Sequence, residues 1–278
     1  MFDFLDSSFL RDISFSIIMT SITPVRPSLT SNDSAVLQAL FDAESSPSSG
    51  ITVDSSLPSW PSSLNIPETD LASLKQREAD IIRKLQTNKS PSIETVQSAL
   101  KDFDTLLTQH PTYPPAYTNR AQTLRLLVEL IYSQEADNDR NTDTELADAA
   151  LFAPKTSQLC SRIFSDLGQA INFATPAFPA DAVSPTQARL LADAHTHRGY
   201  LLLKAVRVKK AGSSADEVGP ERLCGLSADQ LEEMASRDFF FGGRYGNKVA
   251  QQLSVQTNPY AKMCGAIVKE AMRKELEG

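Results

Sequence analysis

The chain has only three histidines: His110, His195 and His197. His195 and His197 stand two apart on an expected helix, so their rings point to different faces. They cannot share a metal as an i, i+4 pair could. His195 fits an aromatic core position, and His197 is placed to face a groove. No serine or cysteine has a candidate base in a recognisable setting, so nucleophilic catalysis finds no motif. The stretch DNDRNTDTELAD, Asp137–Asp148, imitates a calcium loop: Asp137, Asp139, Asn141 and Asp143 match its early ligand positions. Thr142, however, stands where the sharp turn needs glycine, and Asp148 where a bidentate glutamate belongs. It reads instead as an acidic, solvated loop whose removal leaves stability nearly unchanged. FGGRYG, Phe241–Gly246, follows a helix rather than a strand and lacks phosphate-loop spacing, so its glycines read as left-handed helix caps. No metal and no cofactor is expected.

The composition narrows the class. Among 278 residues, 27 Lys+Arg oppose 34 Asp+Glu, a net charge of −7. That balance argues against general attraction to nucleic-acid phosphates or anionic lipid. No apolar run approaches the roughly 18–20 residues that span a bilayer. Cys160, Cys224 and Cys264 are widely spaced and odd in number, so neither a disulfide framework nor a zinc site is indicated. The expectation is a cytoplasmic protein without nucleic-acid or membrane partners.

Residues 1–70 contain 17 Ser and 6 Pro. Such a stretch buries too little apolar surface to offset its ordering entropy, so residues 1–69 are expected to be largely disordered. The opening residues lack the basic region of a signal peptide, since Asp3 and Asp6 precede any arginine. Met19 offers a second start, and the residues leave both open. One island, at 32–42, places Val36, Leu37, Leu40 and Phe41 on one face behind an Asp33 cap. Two turns are marginal alone, so this short helix must dock on the chain's own core or on a partner.

From 70 onward the apolar period is 3.6. Amphipathic helices are expected at 70–87, 92–109, 116–132, 156–174, 185–209, 227–244 and 259–277, with no strand-period run of comparable length. The second follows Pro91 and stops at His110-Pro111. The class is therefore all-α, built from antiparallel helix pairs.

The pairs suggest repeats. Ala99, Phe103 and Leu106 take the small, aromatic and apolar sites of one second helix. Tyr117, Ala121 and Leu124 take the corresponding sites of the next first helix. Leu167 and Ala170, then Gly199, then Ala235 and Phe239 continue the series. The stretch Ala116–Leu127 resembles the first helix of a tetratricopeptide repeat, in which a small residue permits close helix approach. The fold is thus expected to be a tetratricopeptide-type α-solenoid of about three helix pairs with a C-terminal capping helix over 70–278. Insertions near 132–156 and 209–226 occupy turns on one edge.

NDSAVLQALFD, the NRAQ of Asn119–Gln122, SDLGQAI, Arg198-Gly199 and the terminal NPYAKMCGAIVKEAM occur in that order. Together they resemble an expanded form of the tetratricopeptide repeat protein 36 family. That resemblance implies a three-repeat scaffold without catalytic residues and a link to tyrosine metabolism.

In such arrays the first helices line a concave face that holds peptides. Here that face would present Asn119, Gln122 and Arg125, then Asp193, Thr196, His197, Tyr200, Lys204 and Arg207. Asn119 matches the groove asparagine of the chaperone-binding carboxylate clamp. Asp193 and His197 stand where the clamp's cations would be, and an aspartate there repels a C-terminal carboxylate. Arg125, Lys204, Arg207 and Tyr200 instead suit an acidic-aromatic segment. The resulting expectation is a non-enzymatic scaffold or adaptor with a protein or peptide ligand in its groove. A co-chaperone and a metal-dependent helical protein are the alternatives.

Overall fold

The computed structural model describes residues 51–86, 90–136, 144–211 and 219–277. The expected docking helix at 32–42 and the calcium-like Asp137, Asp139, Asn141 and Asp143 lie outside them. Nine α-helices are present among the described residues: α1 Glu68–Gln86, α2 Ile93–Gln109, α3 Pro114–Ala136, α4 Thr144–Leu151, α5 Ser157–Ala174, α6 Pro185–Lys210, α7 Ala228–Arg244, α8 Lys248–Thr257 and α9 Pro259–Glu277. The fold is all-α. The described residues hold no strand, only one parallel bridge between Val53 and Val183.

Local chemistry sets several helix starts. Ser92 caps α2 by accepting from the Thr95 amide at 3.2 Å. Ser184 with Gln187, and Ser227 with Gln230, form reciprocal capping boxes at α6 and α7, and Pro185 occupies the first turn of α6. Asn247 caps α8 through the Ala250 amide.

The helices pack largely in chain order: α1 on α2, α2 on α3, α3 on α5, α5 on α6, α6 on α7 and α7 on α8. Small residues sit where they cross. Ala121 and Ala99 are fully buried. A Cβ at Gly199 would lie 3.0 Å from the Phe239 ring and 3.2 Å from the Ala235 carbonyl, so glycine here lets α6 and α7 approach.

An Arg–Asp grip recurs between paired helices. Arg120 on α3 donates two bonds to Asp166 on α5, at 2.8 and 2.6 Å. Arg198 on α6 does the same to Asp238 on α7, at 2.7 Å twice. In each pair the arginine precedes the small contact residue, Ala121 or Gly199, and the aspartate precedes a fully buried apolar residue, Leu167 or Phe239. In the first pair Lys84 of α1 reaches Asp102 of α2 at 2.7 Å, and Phe103 follows that aspartate. The two arginine contacts are planar, bidentate forks, which fix orientation as well as distance; the lysine contact is a single point charge on its acid.

Four expectations are corrected. Order does not begin at residue 70: Trp60 and Leu64 are buried, Thr112 donates to the Leu64 carbonyl at 2.9 Å, and Ser184 to the Ser59 carbonyl at 2.9 Å. The serine-rich composition hid these two apolar anchors. The C-terminal α9 is not the cap, since its chief neighbour is α8, and Tyr260, Met263 and Ile267 are more than half exposed. The short α8, burying Ala250 and Leu253 against α7, takes that place. Gly242 and Gly243 are not left-handed caps either. They lie inside α7, where a Cβ would meet Thr196 and Ala250 or the Gln251 backbone within about 3 Å, and of this motif's three glycines Gly246 alone has a positive φ. Lastly, the first insertion is more than a turn, since it carries the packed helix α4. The Gly219 amide donates to the Phe152 carbonyl at 3.0 Å, and α4 lies against both α3 and α6.

Candidate functional site

The sequence-derived groove residues fall on α3 and α6. Asn119, Gln122, Arg125, Asp193, His197, Lys204 and Arg207 are half-buried, whereas Thr196 and Tyr200 are buried. The Thr196 hydroxyl is spent on the Ala192 carbonyl at 2.6 Å. Asn119 donates to Glu78 of α1 at 2.6 Å, and Tyr113 donates to the same carboxylate at 2.7 Å. Burial pushes the Glu78 carboxyl above its ordinary range, against the two hydrogen bonds that favour its charge. The asparagine thus ties α1 to α3.

The three cations do not stand open on this face. Arg125 Nε lies 3.3 Å from Glu129. Lys204 Nζ sits 2.6 Å from Asp148, and Arg207 Nη1 3.5 Å from the other oxygen of that carboxylate. Asp148 belongs to α4 and is 2% exposed, so the inserted acid is a buried counter-ion and not part of a solvated loop. Lys204 also lies 4.9 Å over the Tyr200 ring. The sequence showed the cations. It could not show that the chain brings its own acid to them.

His197 is uncharged at neutral pH. Its Nε2 is shut off from solvent without a hydrogen-bond partner, and burial, with Arg125 and Lys204 adding to it, lowers its pKa to about 3. The position matching a clamp cation therefore carries no charge. Among the described residues no group of three His, Cys, Asp or Glu side chains could hold a metal. Cys160 is buried, and its thiol is pushed up to about 12, so it is no nucleophile at neutral pH.

On the opposite side of α6 is a cleft that sequence reasoning missed. It has a volume of about 410 Å³ and opens among α5, α6, α7 and the segment before α7. His195 lines it, with Nδ1 2.8 Å from Asp238 and its ring stacked on Phe241 at 5.2 Å. Burial opposes the charge of Asp238, but the hydrogen bonds from His195 and Arg198 outweigh it and hold the carboxyl below its usual range. The signal available beforehand was the His195–Arg198 spacing, which matches Tyr117–Arg120 with histidine in place of tyrosine.

Taken together, these features define an all-α protein whose helices pack largely in chain order, with small residues and Arg–Asp forks where they cross. No family model matches the chain, and no solved structure matches it. Over 260 residues it is 62% identical to the L-tyrosine degradation gene cluster protein hmgX of Aspergillus fumigatus, a similarity spanning 93% of this chain and 98% of that protein. The chain belongs to the hmgX family. Among the described residues no helix is long and apolar enough to cross a membrane.

Proposed function

We propose that this chain is a non-enzymatic adaptor in tyrosine degradation. Its helix pairs form a tetratricopeptide-type array whose first-helix face, along α1, α3 and α6, holds a protein partner. The observation that carries this reading is the recurring contact between paired helices, Lys84–Asp102, Arg120–Asp166 and Arg198–Asp238, each aspartate followed by a buried apolar residue. A repeated grip of this kind is what a stack of equivalent units needs. The metabolic assignment is supported by the name of the Aspergillus fumigatus relative. The absence of a recognisable nucleophile–base pair in the sequence fits a role in holding rather than transforming.

The α6 end of the face is occupied by α4 through Asp148, so the partner is assigned to the α1–α3 end, at Gln122. A chaperone C-terminus finds little support there. Asn119 is held by Glu78, and His197 supplies no positive charge.

The test is site-specific photo-crosslinking in cells grown on tyrosine. A benzophenone side chain at Gln122 is expected to capture an enzyme of tyrosine degradation, and one at exposed Lys101 on α2 is expected not to. Capture from Lys101 alone, or from neither position, would overturn the assignment of this face.

A further inference from the structure

We propose that the cleft beside His195 is a binding site for a small organic carboxylate with an aromatic body, distinct from the protein-binding face. Three observations carry it.

The first is a departure from the repeat. In the second pair, Tyr117 packs on Phe173 at 5.7 Å and lies under Arg120, so an aromatic ring closes that position. In the third pair His195 takes the same place. Its Nδ1 is committed to Asp238, and no described residue bonds its Nε2. A polar ring thus lines a cavity where the array's own pattern would place a larger phenol.

The second is charge. Arg198, Arg222 and Arg237 all line the cleft, against one carboxylate, Asp238. Arg198 and His195 already engage that carboxylate. Arg222 and Arg237 have no acidic partner within 4 Å among the described residues. Two exposed guanidiniums at one cavity are a carboxylate-binding arrangement, since each offers a planar fork of donors.

The third is the apolar wall. Phe164, Leu202, Leu223, Met234 and Phe241 line the cleft beside the charged groups. Small-molecule sites combine such a wall with a few polar groups in volumes of about 300–1,000 Å³, and this cleft lies within that range. A hydrated inorganic anion would gain nothing from the wall, and a neutral aromatic would gain only the weaker cation–π contact from the arginines, without the carboxylate forks.

The experiment is calorimetry on the full chain with three probes: phenylacetate, 2-phenylethanol and inorganic phosphate. Phenylacetate is expected to bind about tenfold or more tightly than either of the others. The Arg222→Gln/Arg237→Gln variant is expected to lose about tenfold or more in phenylacetate affinity. Both arginines are exposed, so its circular dichroism should match wild type. Met234→Trp, which fills the cleft without touching a charge, is expected to abolish binding. Failure of phenylacetate to bind at millimolar concentration would overturn the proposal, as would unchanged affinity in the arginine variant. Phosphate or 2-phenylethanol binding as tightly as phenylacetate would also overturn it, by removing the need for the wall or for the charge. None of these outcomes depends on the protein-partner reading.

Discussion

Lys204 Nζ lies 2.6 Å from Asp148 Oδ1, and the two side chains are only 14% and 2% exposed. The cation comes from the long helix α6 and the acid from the short helix α4. The contact therefore decides how firmly the insertion is held.

Asp148→Ala leaves Lys204 and Arg207 without their counter-ion in a largely enclosed place. Removing one partner of a buried pair costs about 3 kcal/mol or more. For a domain of this size that lowers the melting temperature by roughly 6–12 °C. Deleting 137–148 should cost at least as much, because it removes the same carboxylate together with most of α4. Thermal melts unchanged within a degree would mean that α4 contributes nothing to the core.

Gly199→Leu forces α6 away from α7, because even a Cβ already meets the Phe239 ring at 3.0 Å. Overpacking of this kind costs typically about 1–3 kcal/mol. Gly225→Ala provides a contrast. Its Cβ would meet nothing within 4 Å, and its cost comes only from a φ of +79°. Urea midpoints of the two variants separate crowding from backbone strain.

His197 gives a pH dependence whose sign is fixed. Its folded pKa, about 3, lies below the ordinary 6.5, so the unfolded chain binds a proton that the folded chain refuses. Its contribution is present above pH 6.5 and is lost as pH falls towards 3. The slope is at most about 1.4 kcal/mol per pH unit. His197→Phe should flatten that acid limb in urea titrations between about pH 4.5 and 7. An identical limb in the variant would assign it to other groups.

Arg120 bridges Asp166 on α5 and Asp104 on α2, with Arg162 also on Asp104. Arg120→Lys keeps the charge but loses the fork, and Arg120→Leu leaves Asp166 buried without its hydrogen-bonded partner. The expected order of stability is wild type, then lysine, then leucine, with the leucine variant down by about 3 kcal/mol or more. Chemical denaturation of the three proteins checks the order.

Much of the helical layout was legible because long amphipathic helices announce themselves. The apolar stripe of α2 and its stop at His110-Pro111 lie within one window of sequence, and so do the serine starts of α6 and α7. The helices that escaped, α4 and α8, are too short for a 3.6-residue period to stand out. The site was less legible, for a physical reason. A grip such as Arg120–Asp166 joins residues 46 apart, and the cleft draws on α5, α6, α7 and an insertion together. Sequence showed Lys204 and Arg207 as cations on one face. Their partner, Asp148, stood in a stretch whose spacing drew attention to calcium instead.

The segment from Val53 to Leu64 changes how these helices can assemble. It pairs with Val183, accepts a bond from Ser184 at Ser59, stacks Trp60 edge-on against Tyr113, and accepts from Thr112 at Leu64. A plain stack of repeats grows from neighbour to neighbour and can fray from either end. Here the residues before the first helix are fastened beside the start of α6, across 125 positions of chain. Contacts of such long sequence separation slow folding, because a large loop must close before they form. A clasp of this sequence separation is expected to form late and to tie the opening of α1 and α2 to the start of α6.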